Sequence, residues 1–410
     1  MKQALKNYWH IIRKSLMRRQ ETLTARDVWS VGRRRYALPS FVKQWMFPWF
    51  IRRPIPPAAV RNGHRWTAWK SQTRKDITSI FVLMHERTLK QEALTGQTPE
   101  KLANSKASRV PLPDFVLTCN NICNTLLKWY ENLARELDIP CIIIDAPFNH
   151  TMPVPRHAKE YMVGQFQSVI AKLEKICGRQ FDYDKFLAAQ VQTQRSIYQW
   201  NRVASYAFRK PSPLNGFDLF NYMAMPVTCR SKNYSEIVLK KFADELEEND
   251  KNGKYAFGAA ENEKNRVTWE GIAVWPYLGV TFKGLKNEGA VMTGSAYPGM
   301  WDFEYIPGDM MSMAETYSKV YLNCGAPHRY EEFFKVVDNS KSDGIILHTN
   351  RSCKIMAFLN GEGAEFINAK KKAPFVSFDG DQTDPRVFAP AQFETRMQAL
   401  SEMMNSQKNQ

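Results

Sequence analysis

Among the 410 residues, the seven cysteines offer the widest choice of chemistry. Their irregular spacing does not read as a disulfide framework, so a reduced, cytoplasmic chain using thiols or a metal is expected. Cys123 and Cys353 each stand where a strand should give way to a helix. A thiol there meets free backbone N–H groups and the positive end of the helix dipole, and both favour the thiolate that ligates metal. The competing account of each is a small buried core thiol. Cys119 lies nearer its strand. Cys141, inside an Ile run, reads as core, and Cys177, Cys229 and Cys324 show no ligand spacing. Residues 215–220 (NGFDLF) and 269–276 (WEGIAVWP) mix aromatics with Gly and acids. Residues 378–386 (FDGDQTDPR) read either as a capped turn or as the wall of a cleft. No phosphate loop, dinucleotide fingerprint or zinc spacing is present.

The elements that must position these cysteines are those of a parallel α/β protein. An apolar run at 114–118 leads into Cys119-Asn-Asn-Ile-Cys123. Residues 124–137 then put Leu126, Leu127, Tyr130, Leu133 and Leu137 on one helical face, and 139–144 is a second buried strand ending at Asp145. Short connections of this kind belong to strand–helix–strand units. Residues 157–206 read as mostly helical. After Pro211 a second unit follows, with strands expected at 267–275, 290–295, 343–349 and 374–378. Helices are expected at 282–287, around 310–337, from Cys353 onward, and at 391–404. The two units echo each other: Asp114…Asn121-x-Cys123…Asp145 against Asp343…Asn350-x-x-Cys353…Asp379. The expected architecture is therefore two Rossmann- or flavodoxin-like parallel-sheet domains facing a cleft, at 89–210 and 211–410. Each carries one Cys beyond the carboxyl end of a strand, where open parallel sheets bind ligands.

The net charge of +16 suggests nucleic acid, but its distribution argues otherwise. Residues 1–88 hold 19 Lys+Arg against 4 Asp+Glu, and the rest holds 38 against 37. That first stretch also holds 6 of the 11 tryptophans, without a period of 3.6 or 2. A nucleic-acid arm or a transit peptide would be less aromatic. No membrane span or nucleic-acid partner is expected.

The motifs DFVLTCNNICN, KWYENLARELDIPCIIIDAPFN, NGFDLF, WEGIAVWPY, NRSCK and FDGDQTDPR…QFETR, in that order from about Leu89 to Met404, resemble the 2-hydroxyacyl-CoA dehydratases, kin to benzoyl-CoA reductases. The likeness is strongest to the α subunit of the heterodimeric enzyme. It implies a [4Fe–4S] cluster held by three Cys, with one iron open; two of the ligands fall on Cys123 and Cys353. It implies dehydration of a (R)-2-hydroxyacyl-CoA to the 2-enoyl-CoA, which is hard because the β-hydrogen removed is not acidic. One low-potential electron makes the thioester a ketyl that expels the 2-hydroxyl, and the electron is then recovered. It further implies a paralogous β subunit and a separate ATP-hydrolysing iron–sulfur activator, the only user of ATP. A benzoyl-CoA-reductase-like subunit and a non-catalytic remnant that still pairs with a β subunit stay open.

The family's third ligand, in a segment like DICSYART, and its GWS and YPE motifs are absent as written. They return when the implied codons are read from their third base. Trp45-Met46 forces GAT for Asp, and Met46-Phe47 and Trp49-Phe50 each force GTT for Val, so the window permits MDVPVVYPE. Residues 76–87 permit YHLDICSYART, and 29–35 permit VGWSAA, all in one shared offset. Residues 1–88 are therefore expected to be an out-of-frame segment rather than a native domain. The catalytic residues that the resemblance would supply fall inside it, and the missing ligand corresponds to about Leu83.

Overall fold

The computed structural model describes residues 113–409; the out-of-frame reading of 1–88, and the start of the first expected domain, lie outside the described residues. Strand β1 (Val116–Cys119) leads through a short loop to helix α1 (Asn124–Leu137), which returns to β2 (Cys141–Ile144). The two strands pair in parallel, Val116 opposite Cys141 and Cys119 opposite Ile144. Helix α1 matches its expected bounds, but its buried face is Trp129, Tyr130, Leu133 and Ala134 rather than the leucine stripe. Cys141 is exposed and corrects the core reading: the pleat sends alternate side chains to opposite faces, and Ile142 takes the buried one.

Long helices α2 (Arg156–Cys177) and α3 (Tyr183–Ser205) follow. Short helices α4 (Gly216–Tyr222) and α5 (Ala224–Thr228) then precede α6 (Asn233–Lys251). The main sheet holds β3 (Asn265–Glu270), β4 (Ala290–Ser295), β5 (Gly344–Asn350) and β6 (Phe375–Gly380), in the order β4-β3-β5-β6 and parallel throughout. Chain order leaves β3 toward β4 and then crosses to β5, so the direction reverses between β3 and β5. Ligands of such sheets sit beyond the carboxyl ends at that reversal.

Strand β3 stops at Glu270, short of the expected 275. Gly271 has φ 110, and a Cβ there would stand 2.7 Å from the His348 carbonyl oxygen. Only glycine accepts both the dihedral and the approach, and the ladder ends there. The connections are α7 (Leu278–Asn287), α8 (Ala296–Gly299), α9 (Met310–Ser318) and α10 (Ala326–Asn339). The helix expected around 310–337 is thus two helices. Beyond β5 come α11 (Lys354–Phe358) and α12 (Asn360–Lys370), and α13 (Pro390–Lys408) closes the chain. Met404 and Leu400 of α13 press on Gly344, where a Cβ would lie 2.7 Å from the Met404 sulfur.

Trp269, Val267, Ile346, Phe378, Phe393 and Met397 form the core between this sheet and α13. His348 stacks on Phe378 with ring centroids 4.8 Å apart and turns Nδ1 to the Ile272 carbonyl. Burial lowers its imidazole to about 4, so it is neutral. The described parts are stitched by Asn149, which donates to the Ser318 carbonyl at 2.6 Å, and by Asn323, which donates to that of Pro147 at 2.8 Å. No helix among the described residues is long and apolar enough to cross a membrane.

Candidate metal centre

The loop after β1 and the loop after β5 meet. Cys123 is the residue before α1 and is buried; Cys353 is the residue before α11 and is fully buried. The two thiols come close enough for each to perturb the ionisation of the other. In its thiol form the Cys123 Sγ donates to the Ser352 carbonyl at 3.3 Å, and the Thr125 hydroxyl donates to the same oxygen at 2.6 Å. Sequence reasoning singles out both cysteines and misses Thr125 and Ser352, whose small polar side chains look like any loop.

The pair does not ionise evenly. The neighbouring Cys353 thiol holds Cys123 below the ordinary thiol range, helped by the first turn of α1 at Thr125 and Leu126 and opposed by burial. Cys353, beside Cys123 and more deeply buried, is pushed well above the ordinary thiol range. Burial pushes Cys119 up to about 12, so it stays a thiol. Tyr297, buried beside the pair, is raised by burial and by both sulfurs, which keeps its hydroxyl protonated.

Each loop is fixed by the strand that follows it. Asn120 donates to the Asp145 carboxylate and accepts from the Ala146 N–H at 2.7 Å. Asn350 accepts from the Gln382 N–H at 3.2 Å and from the Ser352 N–H at 3.3 Å. The echo therefore aligns Asn120-x-x-Cys123 with Asn350-x-x-Cys353, one residue off the expected Asn121, which instead donates to the Tyr317 carbonyl at 2.9 Å. Asp379 pairs with Arg351 at 2.7 Å, the counterpart of Asp145 with Asn120. Residues 378–386 form the capped turn: buried Asp381 accepts from the Thr383 and Asp384 N–H groups at 2.8 and 2.9 Å and from the Ser352 hydroxyl.

A third feature lies against α11. Arg329 and Glu270, both fully buried, pair at 2.8 Å, and the Tyr321 hydroxyl donates to Glu270 at 2.7 Å. Arg329, Tyr321, Lys319 and His328 also line a cavity of about 210 Å³ that Ala296, Met300 and Phe303 close. Arg329 carries a signal in the sequence, since it falls on the apolar stripe of Ala326, Tyr330, Phe333 and Val337.

The donors fit an iron–sulfur cluster in kind. Two buried thiols face each other, one already inclined to the thiolate, with backbone N–H groups around it. They fall short in number: among the described residues no group of three His, Cys, Asp or Glu could hold a metal ion. The full sequence has no Cys before Cys119.

A family model described as 2-hydroxyglutaryl-CoA dehydratase, D-component, matches residues 93–404. The chain belongs to this family. The lactoyl-CoA dehydratase subunit alpha of Anaerotignum propionicum is 61% identical over 320 residues, 78% of this chain and 75% of that protein. The (R)-2-hydroxyisocaproyl-CoA dehydratase alpha subunit of Clostridioides difficile is 42% identical over 74% of each chain. A benzoyl-CoA reductase polypeptide of Thauera aromatica is 24% identical over 73% of this chain and 72% of that protein. As a member of this dehydratase family the chain is a lyase subunit, and relatives named alpha subunits imply a partner subunit.

Proposed function

We propose that this chain is the α-type subunit of a 2-hydroxyacyl-CoA dehydratase, converting a (R)-2-hydroxyacyl-CoA to the 2-enoyl-CoA together with a paralogous β subunit and an ATP-hydrolysing iron–sulfur activator. The observation that carries this reading is the meeting of the Cys123 and Cys353 thiols beyond two parallel-strand ends, in a chain 61% identical to a dehydratase alpha subunit. Against that, the identity to the benzoyl-CoA reductase polypeptide is only 24%, which favours dehydration over reduction. We further propose that 89–210 and 211–410 are two α/β domains, one sheet each.

Cys123 and Cys353 would hold a [4Fe–4S] cluster. When bound, that cluster supplies one low-potential electron and an open iron that polarises a substrate oxygen. The chain's own contribution is fixation and exclusion. Asn120 and Asn350 hold the two loops, Ser352 ties Cys123 and Thr125 to the Asp381 turn, and both cysteines are buried within the main hydrophobic core with Tyr297 beside them. No side chain here is assigned proton transfer.

Cluster binding needs a third thiolate, and the out-of-frame reading of 1–88 supplies its place near Leu83. The family match beginning at 93 supports that reading. The chain as written is then the inactive form, and a non-catalytic partner of the β subunit is the second reading, favoured by the missing third donor. Resequencing codons 10–90 tests the frame. Anaerobic production of a frame-restored chain with a β subunit should give a brown protein that dehydrates 2-hydroxyacyl-CoA only with activator, ATP and reductant. Full turnover in air without ATP refutes the radical chemistry. An unbroken frame with full activity refutes the lesion.

A further inference from the structure

We propose that Arg329 is the positioning residue for Cys353. Helix α11 has five residues, too few to hold itself by its own ladder. Its end carbonyls are taken up from α10. Arg329 donates Nη1 to the Ile355 carbonyl at 3.0 Å and Nη2 to that of Met356 at 3.5 Å. The neighbouring Tyr330 hydroxyl donates to the Leu359 carbonyl at 2.7 Å. The amides of Met356 and Ala357 in turn bond the Cys353 carbonyl, so Cys353 moves with α11.

The other side of the guanidinium is anchored in the sheet. Nη2 donates to Glu270 at 2.8 Å, the last residue of β3, and the Tyr321 ring lies 4.8 Å from the guanidinium carbon. Glu270 and Cys353 thus flank the reversal point of the sheet, and Arg329 joins them. A buried ion pair adds little net stability over apolar packing of equal volume. A planar fork that reaches a carboxylate and two carbonyls at once serves position, and a lysine ammonium cannot copy it.

This rests on reading Cys123 and Cys353 as one ligand pair, and the test measures their geometry without iron. The full chain, reduced and held without oxygen, is given phenylarsine oxide. Two As–S bonds replace the As–O bond, two thiol protons leave as water with the oxygen, and no electron is transferred. The partition of the arsenical between the chain and ethanedithiol is measured at equilibrium, with the Cys123–Cys353 bridge identified by peptide mass. Arg329→Lys keeps the charge opposite Glu270 and loses the fork. It should move the partition toward the small dithiol by at least ~10-fold, since pre-organised groups lose their advantage with small displacements. Arg329→Met combined with Glu270→Leu, which removes both charges and leaves neither buried alone, should move it at least as far, and an unchanged partition there also overturns the proposal. An unchanged partition in Arg329→Lys overturns the proposal, as does the absence of the bridge in the unaltered chain. A shifted partition alongside an inactive, frame-restored complex leaves the positioning intact and removes the dehydratase reading.

Discussion

At the end of β1, Asn120 reaches across to the loop after β2, and three residues later Cys123 begins a fourteen-residue helix. At the end of β5, Asn350 reaches across to the loop after β6, and three residues later Cys353 begins a five-residue helix. The plan is shared and the depth is not. Among the described residues β1 has one strand neighbour, while β5 lies between two and is buried along nearly its whole length. Helix α1 can hold its cysteine with its own ladder. Helix α11 borrows Arg329, Tyr330 and Glu270 for the purpose. A cysteine can be presented by a long half-exposed helix or by a short one braced from beneath, and this chain uses one of each.

Four measurements put this contrast at risk. The largest effect falls on activity. In a frame-restored chain, Cys123→Ser and Cys353→Ser should each lower turnover beyond the ~100-fold that a supporting residue costs, because a ligand itself is lost. Turnover kept in either variant would remove that thiol from the site.

Next comes the bracing. Glu270→Ala leaves Arg329 buried without its counter-charge, and denaturant unfolding should show a loss of about 3–5 kcal/mol. Asp379→Ala removes an ion pair whose side chains are 61% and 55% exposed, and should cost at most ~1 kcal/mol. Equal losses in the two variants would mean that depth does not separate the two kinds of pair.

The interior of the four-stranded sheet should also answer to acid. His348 sits at about 4 when folded, below its ordinary value of 6.5, so the unfolded chain binds the extra proton first. Its contribution is complete above pH 6.5 and is lost as pH falls toward 4, by about 3 kcal/mol at most. Asp218 and Asp302, each raised to about 6 by burial, act in the opposite sense over a similar range. The test is therefore the difference between the chain and His348→Phe in denaturant melts at several pH values. A difference that does not change between pH 7 and pH 4 would contradict the assignment.

The smallest effect compares the two asparagines. Asn350→Ala, in a buried site, should cost about 1–3 kcal/mol, and Asn120→Ala, partly exposed, about 1 kcal/mol or less. A reversed order would show that the loop after β1 is the more tightly held.

Much of this is legible in the sequence where the physics is local. Strand β4 and helix α1 fall on their expected bounds because an apolar run and a helical spacing of apolar residues are local signals, although the face that α1 buries is not the leucine stripe. The family motifs carry Cys123 and Cys353. What fails depends on something distant in the chain. Cys141 looks like core because an Ile run does not say which face is covered. The end of β3 is set by the approach of His348 to Gly271. The echo expects Asn121, and Asn120 is the residue that bonds the loop after β2, a choice that depends on that distant loop. Glu270 lies in the 269–276 stretch that the sequence singles out, but its partner Arg329 is not singled out, since their pairing depends on residues 59 apart in the chain.

The contact between Cys123 and Ser352 spans 229 residues. At synthesis rates of about 5–20 residues per second, Cys123 is made roughly ten to fifty seconds before Cys353. Through that interval the growing chain carries half a site. Any metal that needs both thiols must therefore be delivered after translation has passed Cys353.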